Sequence, residues 1–189
     1  MRTRKLRAGV LTLAAAVAAT LALSAGQARA TDADLPAPTS TAPVSGTGTA
    51  DPTVPGTPKL INVRTGRHDA YDRTVFDFTG GTPDFAVAYG TLVGGGTGDP
   101  IPLAGNAALV VTFHPAFAHD LATGATTYDI TRVLEENLPA LRQIRFGEDF
   151  EGHVTAGLGA ADRVGFRVLQ LHAPDRIAID VAHLATCGG

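Results

Sequence analysis

Short runs of alternating apolar and polar residues, cut apart by glycine, constrain this chain more than any other feature. In Arg73–Phe78, Thr74, Phe76 and Phe78 fall on one face, and Arg73, Val75 and Asp77 on the other. Phe85, Val87 and Tyr89 share a face, as do Leu109, Val111 and Phe113. Near the end, Ile177, Ile179 and Val181 alternate with Ala178, Asp180 and Ala182. A period of two with β-branched and aromatic residues is the mark of strands that bury one face. Gly80-Gly81, Gly94–Gly96, Gly124, Gly157 and Gly159 punctuate the runs. Many short strands with glycine-rich turns suit a sandwich or a small barrel. The pattern predicts a mainly β, β-sandwich-like single domain over residues 59–185, followed by a tail at 186–189.

One stretch departs from this period. In Asp129–Leu141, Ile130, Val133, Leu134 and Leu138 stand at helical spacing, with Asp129 as a cap and Pro139 as a stop. One short helix or helical turn is expected there.

The N-terminus carries a targeting pattern. Arg2, Arg4, Lys5 and Arg7 precede an apolar run from Ala8 to Ala25, and Ala28-Arg29-Ala30 ends it. A basic n-region, an apolar stretch and small residues at the A-x-A positions predict a signal peptide over residues 1–30. The run is close to the ~20 residues that span a bilayer, so a retained anchor is the alternative; the A-x-A ending favours cleavage, leaving no stable membrane span. No cysteine follows the run for lipid attachment, and there is no Arg-Arg pair for twin-arginine export. The protein is therefore expected to be secreted.

Residues 31–58 are rich in Pro, Thr, Ala, Ser and Gly and nearly lack large apolar side chains. Such a segment buries too little surface to offset its ordering entropy, so a disordered linker is predicted. Cleavage after Ala30 removes five of the 15 basic residues and no acidic one, leaving ten basic against 18 acidic, a net charge of −8. That balance disfavours nucleic acid and anionic lipid headgroups as partners. The lone Cys187 cannot form an intramolecular disulfide. Tryptophan is absent, which removes the commonest platform for stacking sugar rings.

Catalytic patterns are weak. No G-x-S-x-G elbow occurs, and after residue 30 the only serines are Ser40 and Ser45, both in the linker. Gly94–Gly98 lacks the lysine of a P-loop. His114, His119 and Asp120 form H-x4-H-D, which is not the i, i+4 pairing of a helical zinc site, so neither metal nor cofactor is expected. Glu135-Glu136 and Glu148-Asp149-Phe150-Glu151 could serve glycoside chemistry if two carboxylates faced each other roughly 5–10 Å apart.

The most distinctive cluster is Val63–Arg73, with Arg64, Arg67, His68, Tyr71 and Arg73 between two expected strands. Arginine forks bind carboxylates, and Tyr71 adds a ring face and a hydroxyl. These five are the candidate ligand-binding residues. The competing expectation is structural, with Arg73 paired to Asp77 or Asp180 across strands and Tyr71 capping the core edge.

The motif V-R-T-G-R-H-D-x-Y-D-R-T-V-F-D-F (63–78) resembles the secreted actinobacterial AMIN-like domain. So do Phe150-Glu151-Gly152 leading to Gly157-Leu158-Gly159, then Gly165–Val168 and Pro174–His183. That family is similar in turn to the AMIN domain, a β-sandwich module found beside cell-wall amidases. The resemblance implies a non-catalytic module of the cell envelope, with peptidoglycan or another envelope protein as partner. It supplies no catalytic residues.

Overall fold

In the computed structural model, residues 35–51, 53–55 and 57–184 are described. The expected signal peptide (1–30) and tail (186–189) lie outside the described residues. The described chain forms ten strands: β1 (Val44–Gly46), β2 (Lys59–Arg67), β3 (Tyr71–Thr79), β4 (Asp84–Tyr89), β5 (Ala107–His114), β6 (Leu134–Glu135), β7 (Leu141–Phe150), β8 (His153–Ala160), β9 (Phe166–Leu171) and β10 (Arg176–Ala182). They make two antiparallel sheets, a six-stranded one in the order β1-β4-β5-β8-β7-β6 and a four-stranded one in the order β2-β3-β10-β9. The expectation of a β-sandwich-like domain holds.

The alternation places the core. Leu60, Val63, Phe76, Phe78, Ile177 and Ile179 of the smaller sheet share one buried cluster with Leu109, Val111, Phe113, Ile144, Phe146 and Leu158 of the larger. Phe76 meets Phe113 edge-on at 5.0 Å and Phe146 at 6.5 Å, and Phe78 meets Phe113 at 5.1 Å. Edge-to-face rings add about 0.5–1.5 kcal/mol per pair beyond the area they bury.

Strand β8 is buried on both faces. Its second face is covered by the connection from residue 90 to residue 106, and its glycines make room for it. A Cβ on Gly159 would sit 2.2 Å from the Ala104 carbonyl, and one on Gly157 would sit 2.7 Å from the Leu103 side chain. The loop backbone thus rests directly on the sheet.

Two expectations are corrected. Among the described residues there is no helix, and Asp129–Leu141 is a turn followed by half of a hairpin. The Asp129 carboxylate accepts from the Thr131 amide and hydroxyl at 3.0 and 2.7 Å, closing a local turn. Leu134 and Glu135 then pair with Ile144 and Gln143, and the Leu138 amide donates to the Leu141 carbonyl around Pro139. Ile130, Leu134 and Leu138 do pack on the core while Val133 is exposed. Their spacing of four is met by extended chain lying along the core.

The second correction concerns the disordered linker. Its residues 35–51 run along the domain. Val44, Ser45 and Gly46 pair with Val87, Ala86 and Phe85. The Thr49 and Ala50 amides donate to the Thr82 carbonyl, and the Phe166 amide donates to the Ser40 carbonyl. A segment poor in apolar side chains is ordered here through its backbone, which completes two sheet edges that would otherwise lack partners.

Two tests follow. A chain beginning at Lys59 is expected to melt at lower denaturant concentration than one beginning at Thr31, with the Phe166 amide exchanging fast once its acceptor is gone; equal midpoints and a protected Phe166 amide would contradict this. Gly159→Ala should cost about 1–3 kcal/mol in urea unfolding, because the new methyl meets backbone.

Candidate binding groove

The arginine cluster divides into three environments. On the outer face of the smaller sheet, Arg73 of β3, Asp180 of β10 and Arg167 of β9 stand in one row. Arg73 donates from Nε to Asp180 Oδ1 at 2.6 Å and from Nη2 to Oδ2 at 3.0 Å, and Arg167 Nε reaches Oδ2 at 2.6 Å. Asp180 is fully buried, and Arg73 and Tyr71 are nearly so. The Tyr71 ring lies under both guanidiniums, 4.7 Å from that of Arg167 and 5.3 Å from that of Arg73, and its hydroxyl accepts from Arg73 Nη2 at 3.3 Å. His68 stacks on the same ring with centroids 4.5 Å apart. Arg167 also donates to the Pro36 carbonyl, tying the N-terminal segment to this row. A carboxylate taken out of water needs such pairing.

Arg64 is half-exposed on the same outer face. It grips Asp77 with two bonds of 3.1 and 3.2 Å, and Asn62 adds a third at 3.0 Å. Of the two cross-strand partners expected for Arg73, Asp180 is the one it takes, and Asp77 is taken by Arg64.

Arg67 is placed differently. It ends β2, is exposed, and lines a groove of about 610 Å³ together with Asp69 and Ala70 of the β2–β3 turn. Pro139 forms another part of the wall, and His183 and Leu184, just after β10, complete it beside Ala37. Asp72, 1% exposed, holds these pieces together. Its Oδ2 accepts from the Ala140 and Leu141 amides at 2.6 and 3.0 Å, and its Oδ1 lies 2.8 Å from His183 Nε2. The His183 ring is thereby oriented by a carboxylate, with Nδ1 remaining for other contacts.

Of the five expected binding residues, then, Arg67 borders the groove. His68, Tyr71 and Arg73 form the packed network beside it, and Arg64 lies on the open sheet face. Sequence reading missed Asp69, Ala70, Pro139, His183 and Leu184. Asp72 and His183 both stand in the motifs quoted above, but their pairing spans 111 residues and only the fold reveals it.

Three of the carboxylates considered for glycoside chemistry have partners of their own. Glu148 accepts from Thr155, and Asp149 lies 2.5 Å from His119 Nδ1. As adjacent residues of β7 paired in turn with Thr155 and Val154, they point to opposite faces. Glu135 is engaged by Gln143. His114 and His153 stack with centroids 4.1 Å apart. Among the described residues no group of three or more His, Cys, Asp or Glu could hold a metal ion. Asp120 is held down at a pKa of about 2, first by the hydrogen bond from Lys59 and then by those from Thr123. Its contribution to stability is therefore full above the ordinary carboxylate range and is lost as pH falls toward 2.

Removing one partner of a buried ion pair strands the other charge. Asp180→Asn is expected to cost about 3–5 kcal/mol in urea unfolding, whereas Arg64→Ala, at an exposed pair, should cost about 1 kcal/mol or less. Similar losses for the two would refute the assignment of Asp180 as the buried centre.

Searches of curated proteins and of solved structures gave no match. The family model for the AMIN-like domain matches residues 58–183, from the residue before β2 to the histidine of the groove. That span covers well over half of the 189 residues, and the chain belongs to the AMIN-like domain family.

Proposed function

We propose that this protein is a non-catalytic binding module of the cell envelope, exported by its first 30 residues, that takes its ligand in the groove at the β2–β3 turn. Membership of the AMIN-like family suggests cell-wall association in general. The observation that carries the location is the groove itself, where exposed Arg67 stands beside an oriented His183 over a wall of small apolar residues. Peptidoglycan is the ligand this chemistry fits, because its peptides present carboxylates to an arginine fork. Arg67 makes the direct contact. Tyr71, His68 and Arg73 keep the turn in place from the packed side, and Arg64, neutralised by Asp77, lies on the adjoining face.

A protein partner adding a strand to β2 is the competing reading. The edge of β2 is already engaged at Leu60, whose amide donates to the Phe117 carbonyl, and a bulge interrupts its register between Leu60 and Asn62. Bulges and charged side chains are the devices that discourage strand addition. Among the described residues no helix is long and apolar enough to cross a membrane.

Residues 31–189 should co-sediment with isolated peptidoglycan sacculi in a saturable way, and Arg67→Ala should weaken that binding without lowering the melting temperature. Failure of the unmodified protein to pellet would remove peptidoglycan as the ligand.

A further inference from the structure

Arg67 and Asp69 stand out by what they do not bind. Arg64 is spent on Asp77, and Arg73 and Arg167 on Asp180. Arg67 makes no ion pair within the described residues, and neither does Asp69, although the two opposite charges are two residues apart at the same groove. The wall around them is small and aliphatic: Ala37, Ala70, Pro139 and the half-exposed Leu184. Among the described residues no Phe, Tyr or Trp lines it.

We propose that the groove recognises the free α-carboxylate end of a short peptide with small aliphatic side chains, in the wall the stem peptide and not the glycan strand. This rests on the groove being the binding site proposed above. Arg67 supplies the fork for the terminal carboxylate, and the ring of His183, donating through Nε2 to Asp72, keeps Nδ1 as an acceptor for an amide N–H of the ligand. Asp69 accepts from an amide or ammonium donor further along the ligand. The aliphatic wall takes methyl-sized side chains, which gain by leaving water. Among the described residues a sugar chain finds no Phe, Tyr or Trp face in the groove to stack on. A volume of about 610 Å³ suits a ligand of a few residues.

The test uses the protein from Thr31 to Gly189 and three probes: N-acetyl-Ala-Ala with a free carboxylate, the same dipeptide as its C-terminal amide, and a tetramer of N-acetylglucosamine. Titration followed by amide NMR should give saturable shifts at Ala70 and His183 with the free acid. Binding should be about tenfold weaker for the amide or for Arg67→Ala, the loss of one charge-assisted pair, and the sugar should leave these signals unmoved. Equal binding of acid and amide, a response to the sugar alone, or no shift at millimolar peptide would each overturn the proposal. Failure of the two readings is distinguishable: sacculus binding without a peptide response rejects the carboxylate-end assignment alone, and a peptide response without sacculus binding rejects the wall reading alone.

Discussion

A single buried carboxylate, that of Asp72, joins the parts of this domain that hydrophobic packing alone would leave free to slide. It sits in β3 on the face that points at the other sheet, where an ionised group is costly unless its lone pairs are filled. They are filled by two backbone amides at the entry to β7 and by the imidazole that follows β10. Packing of Phe76 against Phe113 and Phe146 holds the sheets together but is tolerant of small displacements. Three bonds to one carboxylate are not, because any shift strands a buried charge. The groove exists where it does because Asp72 brings Pro139 and His183 to the β2–β3 turn.

Asp180 performs the corresponding task on the outer face. Strand β10 is central in a four-stranded sheet and is buried on both sides, although among the described residues no third layer of strands covers it. Its outer cover is made of the stems and guanidiniums of Arg73 and Arg167 folded over Tyr71. Arginine stems shield apolar surface while their heads satisfy the carboxylate. This explains how a chain with only 6% aromatic residues and no tryptophan closes a two-layer domain. It also explains why a cluster that looks like a binding surface in one dimension is largely a structural network in three.

The strands were legible wherever large apolar residues on one face alternate with smaller or polar ones on the other, as in β3, β4, β5 and β10. Their inward residues are large and their period of two is unmistakable. β8 was harder, since His153–Ala160 shows burial on both faces and its glycines signal a loop resting on the sheet, not a turn. β1 was not legible at all. Val44–Gly46 joins the sheet through backbone bonds, which leave no trace in hydropathy. The Asp129–Leu141 segment misled for the opposite reason, because apolar residues four apart satisfy a helix and an extended path along the core equally well. At the groove, Arg67 was visible as an arginine among arginines. What separates it from Arg64 and Arg73 is the absence of a carboxylate partner among the described residues, and that depends on which strands become neighbours.

The charge of the chain bears on how such a groove could select its ligand. A net charge of −3 over the full sequence, and of −8 from Thr31 onward, means that the protein as a whole does not attract a polyanion at long range. Beyond about 8 Å in physiological salt its field is screened in any case. On the reading proposed above, recognition of a carboxylate comes from contact, from a guanidinium whose planar donors match two oxygens at once. Arg67 can do this at little cost, because the domain has already supplied carboxylates for its neighbouring arginines and left this one to solvent. Pairing Arg64 and Arg73 internally is thus part of the site's chemistry: it stiffens β2 and β3 around the turn and removes competing cations, so that one fork at one end of the groove sets the direction in which a peptide can lie.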